Sequence, residues 1–386
     1  MTKIFVMGAV GSMCIEATRD LVGTSDFDEF ALADMDEQKL RGLGKELNDE
    51  RVHILTIDAS DENRVMDAIK GYDFVMCGLA FDKEMPTIRA CLKSGISMVE
   101  LSGATFAEKY SEDLEKAGAL YSGGVGMTPG VTDIMARYGV GQCDRVHEIY
   151  VSWASFRPLA ISPGLVMTTF WEMNPAEKMR AYYENGKYLP QPSLKESRTV
   201  EFEPPYGKLD VYYVPHSETY TLSKLVPGVK RVKTMGTWPP IEMEVLKQLI
   251  DFGVFEKKTI EHKGQKYNTL EILGDMLSQL PRGTRTPLWG YALRVEVIGE
   301  RGNKNIECVL TTSHPAFEKW GGTRAYAKNV AIPMSIGTQL IVKGKAKVDR
   351  GCHSAYEVYD PVEFFKELKK RGIQVHEQIH EYRKFD

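Results

Sequence analysis

The first residues whose types and spacing could do chemistry are the small ones of Gly8-Ala9-Val10-Gly11-Ser12-Met13-Cys14. This segment follows a short apolar run, Lys3–Met7, and precedes a helix predicted for Cys14–Leu21. Small residues at a strand-to-helix turn let backbone N–H groups approach a pyrophosphate at the helix N-terminus. The spacing is GxxGxxC, with Cys14 where a third small residue usually stands, and a purely steric turn is the alternative. We expect a dinucleotide to bind along Gly8, Val10, Gly11, Ser12 and Met13.

An acidic residue at the end of the second predicted strand bears on the choice of dinucleotide. Asp34 follows Glu29–Ala33 and lies about 20 residues after Cys14, where a carboxylate can accept hydrogen bonds from an adenine-ribose diol. Its charge would repel a 2′-phosphate, and no Arg or Lys follows before Lys39. NAD is therefore favoured over NADP as the cofactor. Asp36 is a second candidate, for which a charge at a helix N-terminus is the alternative role.

Two further positions at predicted strand ends are candidates for contact with the cofactor. Asp58 follows the third strand and could reach the adenine edge, with a turn or capping role as the alternative. Cys77 ends the fourth strand and Gly78 follows it, at a place where backbone commonly passes along the nicotinamide half of a dinucleotide. These positions extend the predicted cofactor site beyond the first turn.

Strand and helix patterns alternate along the first 126 residues or so. This alternation predicts a Rossmann-type parallel sheet with helices on both faces. The predicted strands are Lys3–Met7, Glu29–Ala33, Val52–Ile57, Phe74–Cys77 and Ser97–Leu101. From about Asp144, longer runs rich in Val, Tyr, Thr and Ile lie between Pro-rich connections, which is typical of an α+β domain built on a mixed sheet.

The fold class is therefore α/β, with an N-terminal Rossmann-type parallel sheet and a second α+β domain on a mixed sheet. We expect a dinucleotide-binding domain at 1–126, an α+β substrate and dimerisation domain at 127–322, and a C-terminal segment, 323–386, that returns to the first domain. That segment contains a helical pattern over Thr323–Lys343, where Pro333 predicts a kink or a break.

The composition excludes several classes of protein. With 386 residues, 43% of them hydrophobic and 26% charged, the chain has ordinary globular composition and room for two domains. A formal charge of −4 without a basic run argues against a nucleic-acid binder. No apolar stretch reaches the roughly 18–20 residues that span a bilayer, and the N-terminus lacks the parts of a signal peptide, so we expect a cytoplasmic protein. The six cysteines show neither a disulfide framework nor zinc spacing, and no metal is expected.

Several stretches together resemble the saccharopine dehydrogenase-like oxidoreductases, and among them the lysine 6-dehydrogenases. The first turn is similar to the family's GGAGxMG turn, and Met98–Gly103 is similar to its YVDLSG strand end. The segment Gly124–Asp133 resembles the family's GxxPGxxN, and Pro190–Leu209 resembles its PxL…ExVxFPxxGxLE stretch. The chain from Gly351 on resembles the family's usual ending. The resemblance covers nearly the whole chain, although Glu100 stands where the family commonly has Asp.

The resemblance implies oxidation of a carbon that bears nitrogen, a reaction that needs a base for the amine proton. It suggests Glu100 as the first candidate for the base, with a carboxylate that only holds Ser102 as the alternative. Arg157 follows the first strand of the second domain and could clamp a substrate carboxylate with two parallel hydrogen bonds. A surface salt bridge is the alternative for Arg157. Trp238, before two prolines, could wall an apolar pocket or cap the core.

Three further polar residues receive structural interpretations. His216 and His314 lie in predicted loops beside Pro or Ser, where a structural role is the more common one. Asp133 is interpreted as an acid in the first turn of a helix, where it complements the helix dipole. None of the three is therefore assigned to the reaction.

The sequence and the resemblance together favour an NAD-dependent dehydrogenase that oxidatively deaminates an amino acid or amine, as a lysine 6-dehydrogenase does. One alternative is a saccharopine- or carboxynorspermidine-type reductase that forms a secondary amine with NADPH. The other is a catalytically silent dinucleotide-binding regulator, because fold does not imply function. We expect a small amino acid or amine as the binding partner, no nucleic acid or membrane, and a homodimer or higher homo-oligomer.

Overall fold

The computed structural model describes residues 1–81, 83–103, 107–159, 162–255, 259–279 and 290–382. In the first part of the chain the elements are β1 (Lys3–Met7), α1 (Cys14–Thr24), β2 (Glu29–Asp34), α2 (Glu37–Leu47), β3 (Val52–Thr56), α3 (Glu62–Ala68), β4 (Phe74–Cys77), α4 (Met85–Ser94), β5 (Ser97–Glu100), α5 (Ser111–Ala117), β6 (Leu120–Gly123) and α6 (Val131–Val140). They are followed by β7 (Arg145–Phe156), α7 (Pro163–Met173), β8 (Ala181–Glu184), β9 (Lys187–Pro190), β10 (Ser197–Phe202), β11 (Gly207–Tyr213), α8 (Glu218–Leu225), β12 (Arg231–Thr237), α9 (Pro240–Asp251), β13 (Thr259–His262), β14 (Gln265–Asn268) and α10 (Thr269–Gln279). The last elements are β15 (Gly290–Arg301), β16 (Lys304–Ser313), α11 (Ala325–Val342), β17 (Gly351–Ser354), α12 (Ala355–Val358), α13 (Pro361–Lys370) and β18 (Gln374–Tyr382).

The chain forms two compact units. The first unit contains Met1–Tyr138 and Ala327–Gln374, and the second contains Gly139–Tyr326 and the described residues from Val375 on. Strand β18 belongs to the second unit because it pairs with β16 in that unit's sheet. The sequence analysis had placed all of 323–386 with the first domain. Residues 383–386 lie outside the described residues. The domain limits expected at 126 and 322 stay a prediction.

The first unit is built on a seven-stranded sheet in the described part of the chain, with the strand order β17-β6-β5-β4-β1-β2-β3. Its paired strands run parallel. The central strands carry unbroken apolar runs, and Ile4, Phe5 and Val6 of β1 are fully buried, as expected when helices cover both faces of a parallel sheet. The predicted Rossmann-type sheet is confirmed.

The register of this sheet brings several strand ends to one edge. Met7 at the end of β1 pairs with Ala33 on one side and with Cys77 on the other. Cys77 in turn pairs with Glu100, the last residue of β5. The turns that follow β1, β2, β4 and β5 therefore start side by side, at the carboxyl ends where open α/β sheets bind their ligands.

The second unit is built on a mixed sheet with the path β10-β11-β12-β7-β15-β16-β18. Strands β12 and β7 run parallel, whereas β7 with β15 and β15 with β16 run antiparallel. The predicted α+β architecture on a mixed sheet is confirmed. Its apolar core includes the fully buried Val151, Ala154, Val211 and Leu293.

The late helix differs from the expectation for Pro333. Helix α11 runs without a break from Ala325 to Val342 and includes Pro333 in its interior. Ala331, Met334 and Ile336 around it are buried. Packing of this apolar helix compensates for the hydrogen bond that a proline cannot donate. The break predicted as one of two outcomes is therefore wrong, and the kink stays a prediction.

Candidate functional site

The turn between β1 and α1 is closed by backbone hydrogen bonds. Gly8 adopts a φ of +75°, a conformation that favours glycine, and its N–H donates to the Ala33 carbonyl at 2.8 Å. The Gly11 N–H donates to the Gly8 carbonyl at 2.9 Å. A Cβ added at Gly11 would lie 3.2 Å from that same carbonyl oxygen. Both glycines are therefore needed for the tight turn that the sequence predicted.

Cys14, which replaces the third small residue of the usual turn, is accommodated by Gly78. A Cβ added at Gly78 would lie 2.3 Å from both Cβ and Sγ of Cys14. Helix α1 can therefore approach the end of β4 closely. The small residue that is absent at position 14 is replaced by Gly78, directly after β4. Burial raises the pKa of the Cys14 thiol to about 12, so this side chain stays a neutral packing group.

Asp34 lies at the end of β2 beside this turn. Its Oδ2 accepts a hydrogen bond from the Val10 N–H at 3.4 Å, and its Oδ1 accepts one from the Asp36 N–H at 3.1 Å. A carboxylate offers about four lone-pair sites, so acceptor capacity remains for a ribose diol. Asp36 itself caps α2 by accepting the Lys39 N–H at 3.0 Å, which is the structural role given as its alternative.

The structure places the remaining cofactor candidates in different surroundings. Asp58 lies in the loop after β3, and its carboxylate accepts the Ser60 N–H at 2.9 Å; this bond holds the pKa of Asp58 below its usual value. That geometry supports its turn-forming alternative. Cys77 is completely buried at the end of β4, so only the backbone of Cys77 and Gly78 borders the turn.

The residues at this edge of the sheet fit a bound dinucleotide. The turn has glycine at the two positions where a Cβ would crowd the backbone, and it leads directly into the N-terminus of the 11-residue helix α1. A pyrophosphate is stabilised at such a helix end by backbone N–H groups and the helix dipole. Asp34 stands at the neighbouring strand end, where a ribose would lie.

Glu100 is completely buried where β5 ends, and its oxygens accept three backbone hydrogen bonds. Oε2 accepts the Ser102 N–H, while Oε1 accepts those of Gly103 at 3.0 Å and Gly124 at 2.7 Å. Through these three bonds Glu100 connects the turns after β5 and β6. This geometry fits the alternative given for Glu100, in which it holds Ser102, better than the role of a mobile base.

Arg157 is buried in the second unit, at 2% exposure, so the alternative of a surface salt bridge is wrong. Its Nη2 donates to Thr169 Oγ1 at 2.7 Å, and its Nη1 donates to the Pro158 and Leu159 carbonyls at 3.2 and 3.4 Å. The guanidinium lies 5.2 Å from the ring centre of Tyr326. No ion pair joins Arg157 to a carboxylate among the residues that the structure describes. A buried guanidinium without an acidic partner is suited to an anionic ligand.

Four aromatic side chains in contact form a chain that runs from Trp238 to the ring beside Arg157. We call them the aromatic cluster: Trp153, Trp238, Tyr291 and Tyr326. The Trp238 ring packs edge-on against Trp153 with 4.9 Å between the ring centres, and Tyr291 stacks on Tyr326 with 5.7 Å between the ring centres. The Trp153 indole has room because Gly236 lies opposite it, where a Cβ would approach to 2.1 Å. Trp238 is thus a buried part of a cluster that ends at Arg157.

Beside the aromatic cluster lie a histidine and a carboxylate that the sequence analysis did not assign to the site. His216 stacks on Trp153 at 5.5 Å, and its Nε2 donates to Glu172 Oε1 at 2.7 Å. Burial alone lowers the pKa of His216, but the bond to Glu172 and the nearby Glu218 outweigh it and raise that pKa. Glu172 could have been noticed in the sequence as the lone charged side chain of the apolar segment that forms α7. Only the structure shows that Thr169, three residues before Glu172, accepts a hydrogen bond from Arg157.

His314 and Asp133 have structural contacts. His314 Nε2 pairs with the Tyr206 hydroxyl at 2.8 Å and its Nδ1 donates to the Pro315 carbonyl at 2.8 Å. Burial lowers the pKa of His314, which therefore stays neutral. Asp133, in the first turn of α6, accepts the Gly130 N–H at 3.2 Å. These contacts agree with the structural interpretations.

Two further findings concern the described part of the chain. Among its residues there is no group of three or more His, Cys, Asp or Glu side chains that could hold a metal ion. None of its helices combines the length and apolar character that a bilayer crossing requires.

Comparison with known families assigns both parts of the chain. Residues 4–122 match the saccharopine dehydrogenase NADP binding domain, and residues 126–373 match the saccharopine dehydrogenase C-terminal domain. The chain belongs to the saccharopine dehydrogenase family. The resemblance seen in the sequence is thus confirmed at the level of the family. Residues 4–122 are the nicotinamide-dinucleotide-binding domain of an NAD(P)-dependent oxidoreductase.

Two solved structures share the fold along nearly the whole chain. Saccharopine dehydrogenase (L-Glu forming) from Saccharomyces cerevisiae matches with a TM-score of 0.74 at 15% identity, over 98% of this chain and 100% of that chain. Homospermidine synthase from Legionella pneumophila, solved in complex with NAD, matches with a TM-score of 0.62 at 13% identity, over 98% of this chain and 91% of that chain. At these identities the likeness shows the fold.

Proposed function

We propose that this family member is an NAD-dependent dehydrogenase that oxidises the C–N bond of an amino acid, in the manner of a lysine 6-dehydrogenase. When bound, NAD would accept the hydride from the carbon that bears the nitrogen. The turn at Gly8–Met13 and the carboxylate of Asp34 would hold its pyrophosphate and adenine ribose. The preference for NAD rests on Asp34, whose charge disfavours a 2′-phosphate.

The observation that carries the proposal is the buried guanidinium of Arg157. Its hydrogen bonds go to the neutral oxygens of Thr169 and of two backbone carbonyls, so its charge is available to a ligand. A carboxylate is the anion that an amino-acid substrate would bring, and an arginine binds it with strong charge-assisted hydrogen bonds. The role of Arg157 in the proposed reaction is therefore to bind and orient the substrate carboxylate.

The test is a panel of amino acids and amines, each offered with NAD and with NADP, while the absorbance of the reduced cofactor is followed. On the best substrate, Arg157→Met should raise KM by about ten- to a hundredfold and change kcat less, because a ground-state contact is lost. Arg294→Met is the matched control, since Arg294 pairs with Glu296 elsewhere in the same sheet. Unchanged kcat/KM in Arg157→Met would remove the carboxylate assignment.

A second candidate is a saccharopine- or carboxynorspermidine-type reductase, in which NADPH reduces the imine formed from an amine and a carbonyl compound to a secondary amine. It is favoured by the description of the family's first domain as NADP binding. The same assay, run with NADPH, an amine and a panel of carbonyl compounds, distinguishes the two reactions. If neither reaction shows turnover while a dinucleotide still binds, the chain is a silent dinucleotide-binding regulator.

The expected assembly into a homodimer or higher homo-oligomer stays a prediction. Light scattering coupled to size-exclusion chromatography of the full chain measures it directly. A mass of 43.5 kDa corresponds to the monomer and would contradict the prediction. Twice that mass, or a higher multiple, supports it.

A further inference from the structure

Several buried polar atoms without a partner converge on the aromatic cluster. Among the described residues, no hydrogen-bond partner is present for Trp153 Nε1, Ser155 Oγ, Arg157 Nε, Glu172 Oε2 and Trp238 Nε1. Trp153 and Ser155 lie two residues apart near the end of β7, so they point to one face of the sheet, and Arg157 follows directly after the strand. Burying a polar group without a partner is unfavourable. Five such atoms around one cluster therefore indicate a bound group that completes them.

The two charged members of this set, Arg157 and Glu172, are both connected to helix α7. Arg157 donates to Thr169, and Glu172 lies three residues further along α7, so the two positions are neighbours about one helical turn apart. Glu172 uses Oε1 for His216 and keeps Oε2 without a partner. Arg157 keeps Nε–H in the same way, and no ion pair joins Arg157 to Glu172 in the described part of the second unit.

A buried guanidinium N–H and a buried carboxylate oxygen, both without a partner beside the same helix, match a ligand with one negative and one positive group. We propose that Arg157 and Glu172 form a binding site for the zwitterionic head of a free amino acid. Arg157 Nε–H donates to the ligand carboxylate, and Glu172 Oε2 accepts from the ligand ammonium. The indole N–H groups of Trp153 and Trp238 supply further donors at the carboxylate end. This inference deepens the proposed function and rests on it for the identity of the ligand as the substrate.

His216 has a positioning role in this arrangement. It faces Glu172 from α7, Glu218 at the start of α8, at 3.8 Å, and the indole of Trp153 from β7. Its N–H occupies Glu172 Oε1, which leaves Oε2 as the oxygen that meets the ammonium. The arrangement explains why two buried carboxylates, Glu172 and Glu218, lie beside this histidine.

The first arm of the experiment changes the ligand and needs no variant. Calorimetric titration of the full chain with the twenty standard amino acids selects the tightest binder. Its carboxamide derivative lacks the negative group, and its Nα-acetyl derivative lacks the positive one. We expect each derivative to bind at least about tenfold more weakly, which is about 1.4 kcal/mol at 25 °C. If no amino acid binds, or if either derivative binds as well as the parent, the proposal is overturned.

The second arm changes the protein. Glu172→Gln keeps the shape of the side chain and should weaken binding of the amino acid by about ten- to a hundredfold, while binding of the Nα-acetyl derivative stays unchanged. Glu296→Gln is the matched control, because Glu296 is also buried in this unit but is paired with Arg198 and Arg294. Equal loss of affinity for the parent and for the Nα-acetyl derivative in Glu172→Gln would refute the assignment.

The outcomes separate this inference from the proposed function. Amino-acid binding that depends on Glu172, without oxidation by either dinucleotide, would support the site and remove the proposed reaction. Oxidation of an amino acid with an unchanged KM in Glu172→Gln would support the reaction and remove the site.

Discussion

Replacing Gly78 with alanine tests its close approach to Cys14, at the start of the helix that follows the β1–α1 turn. The new Cβ would lie 2.3 Å from Cβ and Sγ of Cys14, whereas carbon atoms in contact are normally about 3.5–4.0 Å apart. The Cys14 Sγ can rotate away, but its Cβ is fixed to the backbone of α1. The start of α1 or the end of β4 must therefore move by more than about 1 Å. Overpacking of this kind destabilises by about 1–3 kcal/mol, and we expect the upper end of that range.

The thermal midpoint of the first unit measures this effect. A change of 1 kcal/mol shifts the midpoint by about 2–4 °C for 150–250 residues, so Gly78→Ala should lower it by about 6–12 °C. Gly23→Ala in α1 is the matched control, because a Cβ there meets nothing within 4 Å. Alanine is a better helix former than glycine by up to about 1 kcal/mol, so the control should keep or raise the midpoint.

Replacing Cys14 provides the decisive arm of this experiment. Cys14→Gly removes the side-chain atoms that the Cβ added by Gly78→Ala would meet, and it restores the small residue of the usual turn. The double variant should therefore be more stable than the sum of the two single effects predicts, by at least about 1 kcal/mol. Strict additivity, or a Gly78→Ala variant as stable as Gly23→Ala, would refute the argument that Gly78 exists to accommodate Cys14.

Three other substitutions act on contacts described above. Asp34→Ala should weaken NAD binding by about 1.5–3 kcal/mol and NADP binding less, since repulsion of the 2′-phosphate is relieved; an unchanged NAD/NADP affinity ratio in calorimetric titration contradicts the ribose assignment. Glu100→Gln should lower the thermal midpoint, because an amide NH2 would face the N–H of Gly124 or its neighbours; a wild-type midpoint with a reduced kcat would instead favour the base. Burial lowers the pKa of His216, but Glu172 and a second carboxylate raise it overall. The contribution of the charged His216 to the free energy of unfolding is therefore fully present below an unfolded pKa of about 6.5. It is lost as pH rises through the folded pKa. The stability advantage of wild type over His216→Gln should shrink between pH 6 and pH 9, and thermal midpoints at these two values measure it.

Much of the first unit follows from local signals in the sequence. Helix α2 spans Glu37–Leu47 because Asp36 caps its start and Asn48 ends it in the left-handed conformation. The predicted strand Phe74–Cys77 has its observed bounds, since its apolar run is closed by Gly78. Such signals act between residues a few positions apart, and they are therefore visible in the sequence by itself.

The sequence by itself determined the alternation of strands and helices, the glycine turn and the family. It left Arg157 open between a carboxylate clamp and a surface ion pair, because burial depends on residues far along the chain. Tyr326 lies under the Arg157 guanidinium, although most of the sequence of the second unit lies between the two residues. Only the tertiary structure decided that Glu100 is held by the N–H groups of two turns and that Glu172 and His216 pair beside the aromatic cluster. The physical reason is that the charge and hydrogen bonding of a buried polar group are set by the neighbours that packing brings to it, and sequence spacing does not contain them.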